Sequence, residues 1–387
     1  MPEERLTLNS YQSQAIVTDR LSGKANALDL AVLGLFGEVG SLLSEVKKKE
    51  RDSLSYLGYR DSVIEEIGDV LWYLAVIANH AQLPLASVPL DGDQGQVTGR
   101  DVVIADLQPQ HILPLHAPNA AFERTLLELA GSVGRLAAAA AQGSINANEQ
   151  LVTDYLGSIL RILIASATEA GVTLEQAAIN NLRKATDRWP TVKVYPKPFD
   201  DEFPEEEQLP RDLTIDIFER TANDGKTYVL QRCNRIFIGD RLTDNIMTPD
   251  DYRFHDAFHY AYVAILGWSP VTRALFRLKR KSESQIDEGQ DGARATLIEE
   301  GVATYVFGQA KQLEFFSGQK EGDLGFSFLK SVRQLVRGYE SEKCPLWLWE
   351  EAILRGNEAF RYLRVNRRGR LQVSLQKRTF SIEELPQ

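Results

Sequence analysis

A chain of 387 residues exceeds what one small core needs, so two or three domains are expected. With 43% hydrophobic and 25% charged residues, its make-up is that of an ordinary water-soluble globular protein. A net charge of −10 argues against a protein that coats nucleic acid through a broad basic face, but leaves room for a small anion held by metal ions and local lysines. Cys233 and Cys344 form neither a disulfide framework nor a CxxC motif, and the opening MPEERLTLNSYQ has no apolar core behind a basic start. Both features point to a reducing, cytoplasmic setting. The longest apolar run, Val70 to Ala78, is too short to cross a bilayer, so no membrane partner is expected.

The first 88 residues read as helices. Asn9 or Ser10 is a suitable N-cap for a helix through Thr18. A second helix is predicted from about Asn26 to Lys49 and a third from about Arg60 to Ala81, each with an apolar stripe at helical spacing. Residues 89–117 are rich in Gly, Pro, Gln and Asp and read as a long connection with a short strand. Residues 118–190 are a worn repeat of 26–88: GSVGRLA at 131–137 matches GEVGSLL at 37–43, and DYLGSILRILI at 154–164 matches EEIGDVLWYLA at 65–75. A further helix is predicted over 173–189. Two helical hairpins stacked as a four-helix core is the economical architecture. Residues 191–212, with four prolines and an acidic run, read as a linker. Beyond it, 213–242 reads as two or three strands with NDG as a hairpin turn, helices dominate from Tyr252 to about Tyr362, and the end alternates like a terminal strand pair. The fold class is therefore mainly α: a tandem helical-hairpin domain over 1–190, then a mostly helical α+β domain over 213–387.

The first repeat concentrates carboxylates. Glu66 and Asp69 are one turn apart on one helical face, and Glu38 and Glu45 are seven residues apart on theirs. An antiparallel hairpin could point all four into one pocket. Clustered carboxylates repel and are costly to desolvate unless a cation sits among them. Magnesium favours such oxygen ligands and completes its shell with water and phosphates, which suits cleavage of a phosphoanhydride. A solvated helix face is the bland alternative. It is weakened because the acids abut GEVG and GDVLWYL within otherwise apolar helices.

SYQSQAIVTD, LGLFGEVGSLLSEVKKKERD and EEIGDVLWYLA together resemble the MazG-like nucleoside triphosphate pyrophosphohydrolases, and TLEQAAINNLRKATDRWP is similar to the closing helix of such domains. The resemblance implies an all-α fold, magnesium on Glu38, Glu66 and Asp69, and release of pyrophosphate from a nucleoside triphosphate. One position departs from the family's EExxE…ExxD acid pattern. The acid expected three residues after Glu38 is Ser41, and Gly37 precedes Glu38. Glu45 leans toward the vacant position and is expected to replace the missing acid in part.

The second repeat has lost these groups: Glu38 corresponds to Ser132, Ser41 to Arg135, Glu66 to Tyr155 and Asp69 to Ser158. Lys47, Lys48, Arg183 and Lys184 are candidate phosphate-binding residues, with Arg135, Arg161 and Arg188 as further cations; ordinary surface charge is as good a reading for any one of them. Trp189 reads as a packing residue or a base-stacking one.

In the C-terminal domain, RFHDAFHYAYVAILGW sets His255 and His259 at i and i+4, with Asp256 where the HExxH pattern has its general base. Glu299 and Glu300 follow in TLIEEGVATYVFG, which looks like the third-ligand helix of gluzincin-type peptidases. A second metal, zinc or similar, is one reading; histidines hydrogen-bonded to carboxylates in a closed core is the other. Arg277, Lys279, Arg280 and Lys281 form a basic cluster followed by Asp287, Glu288 and Asp291, either a solvated loop or a phosphate-facing patch.

Three functions follow as expectations: a magnesium-dependent pyrophosphohydrolase with an accessory domain, a nucleotide sensor whose catalysis is weakened at Ser41, and a metallohydrolase at His255, His259 and Glu300. A nucleoside triphosphate is the expected partner in the first two, with a homo-oligomer among the expected assemblies.

Overall fold

The computed structural model describes residues 5–90, 101–146 and 148–385. The chain divides into two compact units, Met1–Thr186 and Asp187–Gln387.

In the first unit, α1 (Leu8–Ala15) starts two or three residues earlier than the sequence suggested. Thr7 is its cap. The Thr7 hydroxyl accepts from Ser10 N at 3.1 Å and the Ser10 hydroxyl accepts from Thr7 N at 2.9 Å, a reciprocal box that Asn9 could not form. A 3-10 turn, Ile16–Thr18, finishes the expected helix. The long arms α2 (Ala27–Asp52) and α3 (Tyr59–His80) pack along each other, as do α4 (Ala120–Ala141) and α5 (Glu149–Glu169). Asn119 and Asn148 cap the second pair through their side chains. The hairpins stack α2 on α4 and α3 on α5, so their apolar stripes close one core through Leu35, Leu42, Ile67, Leu71, Leu129, Leu136, Leu156 and Leu163. Ala27–Ser55 and Glu149–Glu169 are long and apolar enough to cross a membrane, yet both turn their stripes into this core. The strand expected within 89–117 is, among the described residues, an isolated bridge between Thr7 and Val103. The closing helix is α6 (Leu174–Arg188).

The second unit holds a five-stranded antiparallel sheet in the order β3-β2-β1-β4-β5. β1 (Asp212–Thr221) and β2 (Thr227–Cys233) join at the NDG turn, where Gly225 takes φ +79°. β3 (Ile236–Leu242) extends one edge; β4 (Arg368–Ser374) and β5 (Thr379–Glu383) bring the end of the unit onto β1. α7 (Asp256–Leu266) packs on β4 and β5 and is buried at Ala257–Leu266, which explains its near-absence of surface polarity. Around it lie α8 (Pro270–Phe276), α9 (Ser284–Gly289), α10 (Ala293–Gln312), α11 (Phe326–Leu335) and α12 (Leu346–Asn366).

The stretch read as a linker, 191–212, is folded into this second unit. Asp200, buried within it, accepts from Leu209 N at 2.6 Å, from the half-buried Arg211 at 2.8 Å and from the buried Arg273 at 2.6 Å. Leu209 is buried in the core of this unit, and Phe199 packs against that core.

Candidate functional site

Glu38, at the middle of α2, meets Glu66 and Asp69 from α3; one ligand oxygen of each lies within 4.8 Å of the others. Glu66 and Asp69 share a face because they are three residues apart, and the glycine between them has a separate task. A Cβ at Gly68 would stand 2.6 Å from the Ala177 carbonyl oxygen and 3.0 Å from Asn181 Cβ. The missing side chain lets α6 lie directly on α3, and that contact delivers Asn181 and Lys184, again three apart, to Asp69. Lys184 Nζ bonds Asp69 Oδ1 at 2.6 Å and Glu65 at 3.1 Å, and also reaches Asp69 Oδ2. Asn181 Nδ2 donates to Asp69 Oδ1 at 2.9 Å. Its amide orientation is fixed from behind, because Tyr11, buried in α1, donates its hydroxyl to Asn181 Oδ1 at 3.0 Å.

The electrostatics are those of a crowded anion site. Burial, then the charges of Asp69 and Glu38, push the Glu66 carboxyl up to about 8. Burial and the Asp69 charge raise Glu38 as well. Burial also raises Asp69, against the opposing pull of Lys184 and Asn181. Glu66 Oε2 is buried without a hydrogen-bond partner. Among the described residues, Lys184 is the cation whose charge offsets Glu38 and Asp69, against the repulsion of Glu65 and Glu66. The three-carboxylate donor set and the orphaned Glu66 oxygen fit a magnesium ion, a hard cation that takes carboxylate oxygens and retains coordinated water.

Glu45 does not join this group. It is buried, but its oxygens accept from Lys48 at 2.6 Å and from the Tyr56 hydroxyl, which in turn bonds Ser62 at 3.1 Å. Two helical turns separate it from Glu38, and the hairpin's own closing residues satisfy it there. The position of Ser41 is therefore not compensated from Glu45. Of the phosphate-binding candidates, Lys184 is in the cluster, Lys48 is committed to Glu45, and Lys47 and Arg183 are exposed. Arg135 and Arg161 are exposed on the second hairpin. Arg188 is buried in the second unit, where it donates to Glu350 Oε1 at 2.8 Å and the Leu324 carbonyl at 2.9 Å, so it is a structural cation. Trp189 beside it is half-buried. Sequence reasoning missed Asn181 and Tyr11; the spacing of Asn181 and Lys184 on one predicted helix was the available signal.

In the second unit, His255 and His259 project from the start of α7. One ligand atom each of His255, Asp256 and His259 lies within 4.8 Å of the others. Glu299 and Glu300, on α10, divide between two tasks. Glu299, fully buried, accepts from His259 Nδ1 at 2.8 Å, Ser269 at 2.7 Å and Val271 N at 2.7 Å. Glu300 Oε2 lies 3.6 Å from His255 Nε2 and 3.5 Å from His259 Nε2. Burial would raise Glu300, but the two imidazoles outweigh it and hold the carboxyl far below its usual range. The basic run is dispersed by contrast. Arg280 is buried between Asp291 at 2.7 Å and Glu340 at 2.8 Å, which rules it out as a phosphate ligand, while Arg277 and Lys281 are exposed, Lys279 half-buried, Asp287 half-buried and Glu288 exposed.

Residues 194–386 match the family model described as the MazG C-terminal domain. The gene 37 protein of Mycobacterium phage L5 is 36% identical over 63 residues, which is 16% of this chain and 55% of the phage protein. The chain thus covers about half of that relative's length. No solved structure matches.

Proposed function

We propose that the N-terminal unit hydrolyses a nucleoside triphosphate to the monophosphate and pyrophosphate with magnesium on Glu38, Glu66 and Asp69. The observation that carries this reading is the three-carboxylate cluster held charge-deficient inside an apolar hairpin, with Glu66 pushed up to about 8. The family match of the C-terminal region supports a MazG-type protein, though it lies outside these helices. When bound, the cation would neutralise charge developing on the phosphates and lower the pKa of a coordinated water. The chain's part is positional. Lys184 and Asn181 orient Asp69, Tyr11 orients Asn181, and the packed hairpin fixes Glu38 against Glu66. In the reaction, the water oxygen bonds to the α-phosphorus while the bond from that phosphorus to the bridging oxygen breaks, and the oxygen keeps the electron pair and leaves as part of pyrophosphate. The water proton passes to a carboxylate of the cluster. Two buried free cysteines suit a reducing compartment, and we infer a cytoplasmic enzyme.

One observation favours a second reading. Because Glu45 is committed to Lys48 and Tyr56, the Ser41 vacancy stands, and the domain would then bind nucleotide with slow turnover and act as a sensor for the C-terminal unit. A panel of ribo-, deoxyribo- and modified triphosphates, assayed with magnesium for pyrophosphate and monophosphate, separates the two. Turnover of at least one member supports the enzyme; tight binding without turnover supports the sensor. Release of orthophosphate in place of pyrophosphate overturns the proposed bond cleavage.

A further inference from the structure

We propose that the second unit binds a divalent transition-metal ion of the zinc class through His255 Nε2, His259 Nε2 and Asp256 Oδ1, with Glu300 Oε2 closing the site from α10. The case rests on these residues alone and is independent of the N-terminal cluster.

The two imidazoles are oriented from behind. His255 Nδ1 lies 2.9 Å from the Tyr252 carbonyl oxygen, and His259 Nδ1 lies 2.8 Å from Glu299 Oε1. Both partners are acceptors, so each Nδ1 carries its proton and each Nε2 presents a lone pair in the neutral ring. A histidine whose Nδ1–H is anchored to a carbonyl or carboxylate while Nε2 faces other donors is the arrangement found behind metal-ligating imidazoles. Here the Glu299 anchor is itself fixed, by Ser269 and by the backbone N–H of Val271. The Tyr252 ring stacks on His255 at 4.3 Å and 1°, which holds the ring plane.

Distances separate a metal site from a closed ion-pair core. The Nδ1 contacts are ordinary hydrogen bonds, but the approaches of Glu300 to the two Nε2 atoms, 3.6 and 3.5 Å, exceed the usual hydrogen-bond range of roughly 2.7–3.2 Å. Four donors bound at about 2.0–2.1 Å in a tetrahedron are spaced roughly 3.3 Å apart. The separations seen, 3.1 Å for His255 Nε2 to Asp256 Oδ1 and 3.5 to 3.6 Å to Glu300, bracket that edge. His259 Nε2 is buried with no hydrogen-bond partner, a group that imidazole chemistry would satisfy with a cation. Asp256 is no general base in this arrangement, since its second oxygen is taken by Gln231, whose own carbonyl accepts from Tyr260 at 2.6 Å. Glu300 is the most exposed of the donors, its side chain 39% accessible against 9% and 2% for the histidines. Exchange of Glu300 for water or an anionic oxygen would therefore open the ion from that side.

The test uses the full chain carrying Glu66→Gln and Asp69→Asn, so that the N-terminal cluster takes no metal. The protein is stripped with chelator, then titrated with zinc, and in parallel with cobalt, whose visible absorption reports the ligand set. Stoichiometric uptake is expected. His255→Gln and His259→Gln should each abolish it, and Glu299→Gln, which loosens only the anchor, should weaken it about 10- to 100-fold. The chain has five histidines in all, so uptake insensitive to both histidine variants would lie elsewhere and overturn the proposal. Failure of the parent chain to take up zinc or cobalt overturns it equally, whether or not the variants fold.

Discussion

The two hairpins of the N-terminal unit are the same frame with different contents. Glu38 and Asp69 of the first correspond to Ser132 and Ser158 of the second, and the serine hydroxyls face each other at 3.5 Å where the first hairpin gathers its acids. Gly68 and Gly157 are also equivalent, and each is a notch. One admits Ala177 and Asn181 of α6; the other admits Pro89, whose carbonyl oxygen would stand 2.5 Å from a Cβ. The frame therefore packs with neutral groups at the acidic positions, two serines and Tyr155. The carboxylates of the first hairpin are not what the fold requires, since burial and mutual repulsion, which raise all three, disfavour their ionised form. Only the acid-bearing hairpin has a notch filled by a lysine-bearing helix. This contrast is what the proposed cation site requires, since a bound cation would offset the cost of the acids.

The largest test of this contrast is to remove the acids one at a time. Glu66→Gln or Asp69→Asn should lower magnesium-dependent pyrophosphate release by roughly a thousandfold, since metal-derived charge stabilisation is worth several kcal/mol. The folded state, followed by circular dichroism, should persist. Retained activity in both variants would detach the chemistry from this cluster.

The reverse exchange concerns stability. Placing acids in the second hairpin, Ser132→Glu with Ser158→Asp, adds charge at a buried and a half-buried position whose nearest cations on the same helices, Arg135 and Arg161, are exposed one turn away. A loss of about 2–4 kcal/mol is expected by denaturant titration. No loss would mean that the second hairpin is as ready for a cation as the first, and the contrast would collapse.

The pH response sharpens the same point. Glu66 ionises near its ordinary 4.5 when unfolded and near 8 when folded, so between those values the folded chain holds the extra proton. Metal-free stability from this group must then fall as pH rises across that window, the opposite of an ion-paired carboxylate. His259, raised well above its ordinary value by Glu299 and Glu300 against the effect of burial, adds a slope of the same sign only while no metal holds its Nε2. The diagnostic quantity is therefore the difference between the parent and Glu66→Gln in thermal unfolding. Magnesium must displace the Glu66 proton, so its apparent affinity should drop about tenfold for each pH unit below about 8. A pH-independent affinity would remove Glu66 from the ligand set.

The two notches predict a split between activity and stability. Gly68→Ala and Gly157→Ala both introduce a clash, and each should cost about 1–3 kcal/mol. Only Gly68→Ala should also lower turnover, because it moves Asn181 and Lys184 away from Asp69. Equal activity in the two variants would mean that α6 contributes packing and no positioning.

Much of this was legible in the sequence, for identifiable reasons. Helical periodicity located the arms of both hairpins, and the repeated glycines and leucines exposed the duplication. The i, i+3 spacing of Glu66 and Asp69 and the i, i+4 spacing of His255 and His259 carry over directly, since a helix fixes such neighbours whatever surrounds it. Contacts between distant segments did not carry over. Nothing local says that Gly68 admits Asn181, that Tyr11 holds its amide, or that Arg188 and Arg280 are buried ion-pair partners in place of phosphate ligands. Glu45 misled because seven-residue spacing gives a shared face but not a shared depth, and Lys48 and Tyr56 claimed it. The acidic, proline-rich stretch misled because its charges have partners far away in the chain, Arg273 above all.

The smallest expected effect concerns Ser41, the position where the acid-bearing hairpin itself departs from its own pattern. Ser41 follows Glu38 by one turn on α2 and is half-buried, so a carboxylate there would enter the neighbourhood of Glu38 and Glu66. With Glu45 held elsewhere, Ser41→Glu adds a ligand that nothing now supplies. Two consequences oppose each other. Without metal, a fourth acid deepens the repulsion that already raises Glu66 and should lower stability by about 1 kcal/mol. With magnesium, the added oxygen should tighten binding and raise turnover severalfold, on the order of the 10-fold change that supporting groups around a metal confer. Loss of stability without any gain in magnesium affinity would mean that the pocket is built around the serine hydroxyl. The first hairpin would then be a nucleotide-binding frame that, like the second, has begun to shed its metal ligands.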